Sequence, residues 1–554
     1  MSVYKNEIVD IPKHSYSQKK GNTIYNYTYT EFYRNSEKKP RNKSVSTGVR
    51  ITNKKGKMHP NDNYFSLMKI PQKRKETDVL NVGFTAVTEA GFGEIGLMEI
   101  LSAAFGKTIA TQIRSICAYM VREGCVMSYI DYFTRDEYFS RVDEILSSQR
   151  VSEIFAELTA DKMNDFYASW IPKVNSDHYI CYDVTSVSTY SEMLLEAEYG
   201  YNRDHDKLPQ MNIGLFTSEE NKYPLYMFCY NGSVNDASNI VEACKNARTA
   251  GLDGKFKVVM DGGFFDDKKL NLLHSEELTF TVGMPAYLDC AKGYIDEFKE
   301  TLYSPSYYLN HSGTYGRIVE DQEIFGIKGR VFVGLCTESA KLLNEDLDAK
   351  LERYESEISG IAWYKTVIKQ KKYTSLFDFK KNEEGSGFSY VRNEEKINSV
   401  RSRFGYFVIF TTDIHATAQG IIDAYRDKDY DEKQFYDLKQ YMGARRPRVH
   451  GQRTFDGKYA VLMIALIYRT WLKEKLRSYK TAHHLTLKRC MMKLSDIKML
   501  VDSDEVRLLK SITAEQRALL EACSVDPDSL EATMREYILE SERERLYTIK
   551  NSGI

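Results

Sequence analysis

A chain of 554 residues and 64.1 kDa is too long for a single hydrophobic core, and its length points to roughly three or four structural units. An apolar fraction of 42% with 28% charged residues excludes wholesale disorder. Lys and Arg (77) nearly cancel Asp and Glu (78), so bulk charge makes no case for a polyanionic partner, and any such case must come from local patches.

The opening residues, MSVYKNEIVDIPKHSYSQKK, lack the apolar core of a secretory signal. No apolar run approaches the roughly 18–20 residues that cross a bilayer. Nine cysteines lie scattered from Cys117 to Cys523 without a CxxC pair. That pattern argues against a disulfide scaffold or structural zinc and fits a reducing cytoplasm. The stretch to about residue 75 alternates, as in TIYNYTYT (Thr23–Thr30), and reads as half-exposed strands. Within it, Lys38–Lys57 (KKPRNKSVSTGVRITNKKGK) is strongly basic with no acid: a solvated loop or a phosphate-contacting arm.

From Val79 to Tyr167 the period becomes helical: Ile95, Leu97, Met98, Ile100 and Leu101, then Ile109, Ile113, Ile116, Met120 and Val121. SSQRVS (Ser147–Ser152) reads as a loop and helix start. Short apolar runs follow at Tyr179–Val184, Ile213–Phe216, Leu225–Tyr230, Phe256–Met260 and Leu278–Val282, with a helix expected over Asn235–Ala250. Three close strands, a helix and a strand open an α/β layer. About 115 residues of mixed character then precede Gly405–Thr411, another buried-strand candidate, and a helical region from His415 to Met442. Beyond Lys475 the sequence reads as charged and helical, over Leu494–Leu520 and Leu530–Ile549.

Two aspartates hold equivalent positions. Asp183 sits near the end of YICYDV, and Asp261 directly follows FKVVM and precedes Gly262-Gly263. Acids at the carboxyl ends of buried strands project into the crevice where open α/β sheets take ligands, although either alone also suits a cap or turn. A facing pair repels and calls for a cation. On the later helix, Tyr425, Lys428, Glu432 and Lys439 fall at azimuths of roughly 0°, 300°, 340° and 320°, one narrow face. That stripe reads either as a functional face or as a solvated Lys428–Glu432 pair.

These residues together resemble the insertion-sequence DDE transposases, in the branch of insertion sequence family four and relatives. The branch's last-acid helix carries Tyr-x2-Arg-x3-Glu-x6-Lys, read here as Tyr425-x2-Lys428-x3-Glu432-x6-Lys439. CYDVTSVSTYS (Cys181–Ser191) resembles the first-acid region, VVMDGGFF (Val258–Phe265) the second, and PLYMFCYNGSVND (Pro224–Asp236) the segment before it. The match runs from about Ser147 to Met284 and again from Gly405 to Leu476. It departs at Lys428, which keeps the signature charge but lacks arginine's planar fork.

The resemblance implies an α/β fold: an RNase H-like mixed sheet flanked by helices and interrupted by a β-rich insertion. It implies an N-terminal β-rich basic region (1–75), a helical end-binding domain (76–175), a catalytic core in two parts (176–285 and 405–475), the insertion (286–404) and a C-terminal helical region (476–554) suited to dimerisation. Asp183, Asp261 and Glu432 are implied as catalytic ligands of two Mg²⁺ ions, with Mn²⁺ as a substitute. Tyr425, Lys428 and Lys439 are implied as phosphate contacts; the basic run of Arg445, Arg446 and Arg448 after that helix reads as further DNA contacts or as a solubilising surface. In related enzymes an insertion tryptophan stacks on a flipped base; Trp363 is the candidate, although its surroundings read as those of a buried Trp. The implied activity is metal-dependent cleavage at transposon ends and strand transfer into target DNA through a hairpin. The implied partners are double-stranded DNA and a second copy of the chain, in the bacterial cytoplasm at the nucleoid. The alternatives are an inactive, domesticated transposase that only binds DNA, and a glycosidase using a carboxylate pair, which predicts no bases around the third acid.

Overall fold

A computed structural model describes residues 8–21, 23–34, 39–68, 77–137, 145–174, 179–200, 207–234, 236–252, 257–310, 312–382, 387–502 and 506–536. The chain forms two compact units: Met1–Leu80 with Met499–Leu509, and Asn81–Lys498 with Lys510–Ile554.

In the first unit an antiparallel sheet runs in the order Val9–Asp10, Lys57–Pro60, Pro40–Arg50, Thr23–Arg34, Ser15–Lys20. TIYNYTYT alternates as a strand must: its buried positions, Asn26 and Thr28, are polar, and its tyrosines take the half-exposed positions between them. Asn26 Nδ2 donates to Thr47 Oγ1 at 3.1 Å, and the Thr28 and Thr47 hydroxyls bond at 3.0 Å. A small apolar core of Met58, Tyr64 and Phe65 sits beside this ladder. Thr77–Asn81, Lys498–Asp502 and Val506–Leu508 form a separate three-stranded sheet. These late strands correct the expectation of a wholly helical C-terminal region. Met499 and Val501 alternate into a buried face, a two-residue period too short to stand out among charged helices. The helix expected over Leu530–Ile549 lies partly outside the described residues.

The second unit is a mixed α/β structure. Its large sheet comprises, among the described residues, β1 (Tyr179–Ser188), β2 (Gln210–Ser218), β3 (Pro224–Asn231), β4 (Lys257–Met260), β5 (Thr279–Met284), β6 (Tyr308–Leu309), β7 (Thr314–Ile324), β8 (Ile327–Leu335) and β9 (Tyr406–Thr411). The spatial order is β6-β7-β8-β9-β5-β4-β1-β2-β3. β1, β2 and β3 form an antiparallel meander, whereas β4 lies parallel to β1 and β5 parallel to β4. The crossover into β4 carries the helix Asp236–Thr249, as parallel pairing requires. β9 closes antiparallel on β5.

The segment expected as a β-rich insertion, 286–404, divides its residues. Its strands β6–β8 extend the main sheet through β9. The remainder builds a small core of its own around Leu351, Ile358, Tyr373 and Phe377 on the helix Thr337–Ser359 and a two-stranded hairpin.

After β9 the chain is helical again, with α1 (Ala418–Asp427), α2 (Asp429–Tyr436) and the long α3 (Gln452–Lys475). α3 is buried along nearly its whole length, from Phe455 to Leu472. It shares its core with the helices between Gly83 and Val174: Thr88 and Tyr468 bond through their hydroxyls at 2.9 Å. The last of those helices is stitched to β3 by Trp170 Nε1 donating to Pro224 O at 2.8 Å. Among the described residues no helix is long and apolar enough to cross a membrane.

At the sheet edge where β1 and β4 begin, Asp413 is buried and accepts from Tyr179 Oη at 2.5 Å and Lys257 Nζ at 2.6 Å. Burial alone would raise its pKa, but the bonds from Lys257, Tyr179 and the His415 N–H hold it below the ordinary carboxylate value. A depressed folded-state pKa contributes stability above the unfolded value and loses it as pH falls through the folded one. Asp413→Asn should therefore cost about 2 kcal/mol at neutral pH. In urea denaturation, its gap from the parent should close as pH drops below about 4.

Candidate active site

The geometry starts from strand register. Tyr179, Ile180 and Cys181 of β1 pair with Lys257, Val258 and Val259 of β4. Two residues further along, Asp261 comes level with Asp183 on the neighbouring chain segment. Cys181 and Val259 pack against Ala424 of α1, with Tyr425 alongside. Because side chains in a strand alternate, residues two positions on point to the same face. Asp183 and Asp261 therefore both look toward the α1–α2 helices. One oxygen of each is tied locally: Asp183 Oδ1 accepts from Val184 N at 2.8 Å and Asp261 Oδ1 from Gly262 N at 2.6 Å. Asp261 thus also caps the short turn Gly262–Phe264, so the local role and the shared face coexist.

Lys428 joins α1 to α2 with helical backbone angles (φ −56°, ψ −32°), so the two run on through it. Its side chain is only 6% exposed, and its Nζ lies 3.6 Å from Asp261 Oδ1 and 3.8 Å from Glu432 Oε1. Burial pulls the ammonium's pKa down, but the charges of Asp261, Asp183, Tyr425 and Glu432 outweigh it and leave the pKa above the ordinary lysine value. Three carboxylates from β1, the end of β4 and α2 thus converge electrostatically on one cation. The carboxylates of Asp261 and Glu432 remain more than half exposed, at 53% and 66%, so the cluster opens to solvent on the acids' side.

Tyr425 lies across β5. A Cβ placed on Gly283 would fall 2.1 Å from Tyr425 Oη, so the glycine is what lets the ring reach over the sheet. Lys439 lies where the helix changes its winding. Asp437–Tyr441 forms a π-turn, which breaks the constant 100° step on which its azimuth rested. Two buried bonds hold the turn: Asp437 accepts from Arg469 at 3.0 Å and from Lys473 at 2.6 Å, both on α3.

The Arg445–Arg448 loop is anchored through its backbone. Cys125 Sγ donates to Gly443 O at 3.0 Å, Tyr459 Oη to Ala444 O at 2.9 Å, and the buried Lys458 Nζ to Pro447 O at 2.7 Å. Arg445 and Arg448 are exposed, and the Arg446 guanidinium stands 5.7 Å from the ring centre of Tyr190. Tyr190, 77% exposed, escapes a motif reading because nothing local distinguishes it. Lys458 and Asp437 escape for another reason: their partners lie on other elements.

Trp363 corrects its expectation. It is 62% exposed rather than buried, because Ile358, Val367 and Tyr373 fill the core beside it while its own position only caps a short helix from outside. It stands at the N-terminal cap of Tyr364–Val367, within the insertion segment.

Among the described residues, no three His, Cys, Asp or Glu side chains stand close enough together to hold a metal ion as placed; the acids are gathered around an ammonium instead. The donor set is nonetheless all carboxylate oxygen, the chemistry that Mg²⁺ takes.

No family model matches the chain, and no curated protein does. Among solved structures it is similar to a piggyBac transposase seen by cryo-EM in a synaptic complex with hairpin DNA. The identity is 12% over 83% of this chain and 82% of that one, with a TM-score of 0.34. Similarity at that level carries no argument about function.

Replacing Lys428 by Met should leave the three acids facing one another without their shared cation. Because solvent screens the exposed acids, we expect a loss of only about 1 kcal/mol in calorimetric unfolding, with Lys428→Arg retaining most of the parent's stability.

Proposed function

We propose that this chain is a DDE transposase with an RNase H-like catalytic core, cutting DNA at transposon ends and joining the freed ends to target DNA. One observation carries the reading: Asp183, Asp261 and Glu432, far apart in sequence, bring their charge to bear on the single buried Lys428 ammonium. The mixed sheet, with the first two acids on neighbouring parallel segments and the third on a helix over the same face, fits the fold that the motif resemblance implies. A lysine enclosed by the acids also disfavours a glycosidase, whose carboxylate pair needs no such base.

Asp183, Asp261 and Glu432 would hold Mg²⁺, two ions per site, with Mn²⁺ as a substitute; when bound, the metal supplies Lewis-acid stabilisation of charge on the entering and leaving oxygens of a phosphodiester. The chain's own residues supply position and counter-charge. Tyr425 and Lys428 stand beside the acids to take terminal phosphates, and Lys439 does so from the π-turn. Arg445, Arg446 and Arg448 line the approach on a loop whose backbone is pinned from the interior, so their charge is presented with little loss of order on binding. Hydrolysis frees a 3′-hydroxyl at the transposon end. Attack of that hydroxyl on the opposite strand forms the hairpin, which is reopened before strand transfer. The active form is a homodimer on paired ends, with contacts from residues beyond Leu476.

The test uses duplexes carrying the inverted repeats that flank the gene, with Mg²⁺ or Mn²⁺ against EDTA. The parent should cut only with metal. Glu432→Gln should lose about 10²-fold or more of the cutting rate while end binding by fluorescence anisotropy stays within a few-fold. Loss of both would give Glu432 a structural role, and retained cutting would overturn the assignment.

A further inference from the structure

The strands Thr23–Arg34 and Pro40–Arg50 outrun the sheet they belong to. The outer strand Ser15–Lys20 pairs no further than Thr28, and Lys57–Pro60 meets Pro40–Arg50 only over Gly48–Arg50. Beyond Tyr29 and Ser44 the two strands continue as a bare ribbon, with the pairs Glu31↔Lys43, Phe32↔Asn42, Tyr33↔Arg41 and Arg34↔Pro40. Every one of these side chains is exposed. Five residues of strand from Thr30 to Arg34 project about 16 Å.

An unsupported two-stranded ribbon is marginal in water, and this one is stiffened along one side. Rings run from Tyr27 to Tyr16 to Tyr29 to Phe32, with successive centroids 5.4, 5.2 and 5.4 Å apart. Phe32 ends the row 68% exposed, more apolar surface than a solvated loop tip needs. Register slips at Asn26/Tyr27 and Tyr29/Glu31, and such bulges add right-handed twist. From Glu31 to Lys43 the sequence carries five bases, Arg34, Lys38, Lys39, Arg41 and Lys43, against two acids, Glu31 and Glu37, and Lys43 pairs Glu31 at 2.6 Å.

We infer that this projecting ribbon is a DNA-binding element that enters the major groove of duplex DNA, with Arg34 and Arg41 on flanking phosphates and Phe32 against the base edges. A two-stranded β-ribbon matches the width of that groove, about 12 Å, and the local excess of cations is complementary to a polyanion. The ribbon is convex, whereas single strands are held in basic grooves with open ring faces. Here Tyr27, Tyr16 and Tyr29 pack on one another. The inference shares its partner, DNA, with the proposed function but involves none of the catalytic residues.

The experiment uses the full chain and a labelled mixed-sequence duplex three helical turns long, titrated by anisotropy between about 50 and 200 mM KCl. For Arg34→Ser with Arg41→Ser, the slope of log K against log salt should fall by about 1.8, and affinity at the lower salt should drop at least tenfold. Circular dichroism should match the parent, because both side chains are exposed. Benzoylphenylalanine in place of Phe32 should cross-link to the duplex. An unchanged slope, a cross-link to a second copy of the chain, or an unlabelled single strand competing better than duplex would each overturn the inference. The two readings fail separately. A parent that cuts DNA with metal while the double variant binds normally sinks the ribbon alone; a parent that never cuts while the variant loses its salt-dependent binding sinks the nuclease alone.

Discussion

Carboxylates brought to one place repel, and the core of the second unit is arranged around compensating that repulsion. Asp183 and Asp261 stand level on neighbouring segments because β1 and β4 are in parallel register. Glu432 arrives above them because Ala424 packs α1 on the same face. Lys428, one helical turn before Glu432 and enclosed on nearly all sides, supplies the shared positive charge. A surface ion pair of similar length would contribute little. This one is desolvated on the lysine side and open on the acids' side, which is how a cluster can be stable and still reachable by a charged ligand.

The same device recurs wherever the site is braced. Asp437 fixes the π-turn through Arg469 and Lys473. Asp413 closes the far edge of the sheet through Tyr179 and Lys257. Lys458 pins the arginine loop by donating to carbonyls of Cys125 and Pro447. Each is a buried charge held by at least two bonds, and breaking one partner would strand the other in a poor solvent. The bracing also explains why the long helix α3 is so thoroughly buried: it supplies Lys458, Tyr459, Arg469 and Lys473 to elements on several sides.

Much of the site was legible along the chain. The runs around Asp183 and Asp261 are continuous apolar strands ending in turn residues, and the Tyr425–Lys428–Glu432 spacing survives because α1 and α2 run on through Lys428. The π-turn around Lys439 was not legible, because the residues that hold it lie on α3. Trp363 misled for a related reason, since whether a tryptophan fills a core depends on what else competes for that volume. The strand Lys498–Asp502 was invisible because one of its partners, Thr77–Asn81, lies at the other end of the chain, and Val506–Leu508 only pairs back onto it.

The linear order of residues by itself determined which side chains carry acid or base, the strand and helix periods that hold them, and the aromatic alternation of the N-terminal sheet. Those are local properties, set by steric and hydrogen-bonding preferences within a few residues. Only the tertiary structure decided that Asp183 stands level with Asp261, that the Lys428 ammonium lies among the acids, and that the Thr23–Arg34 strand outruns its neighbours. Register, burial and the end of a pairing are settled by contacts between segments tens to hundreds of residues apart, and no local rule encodes where those segments will meet.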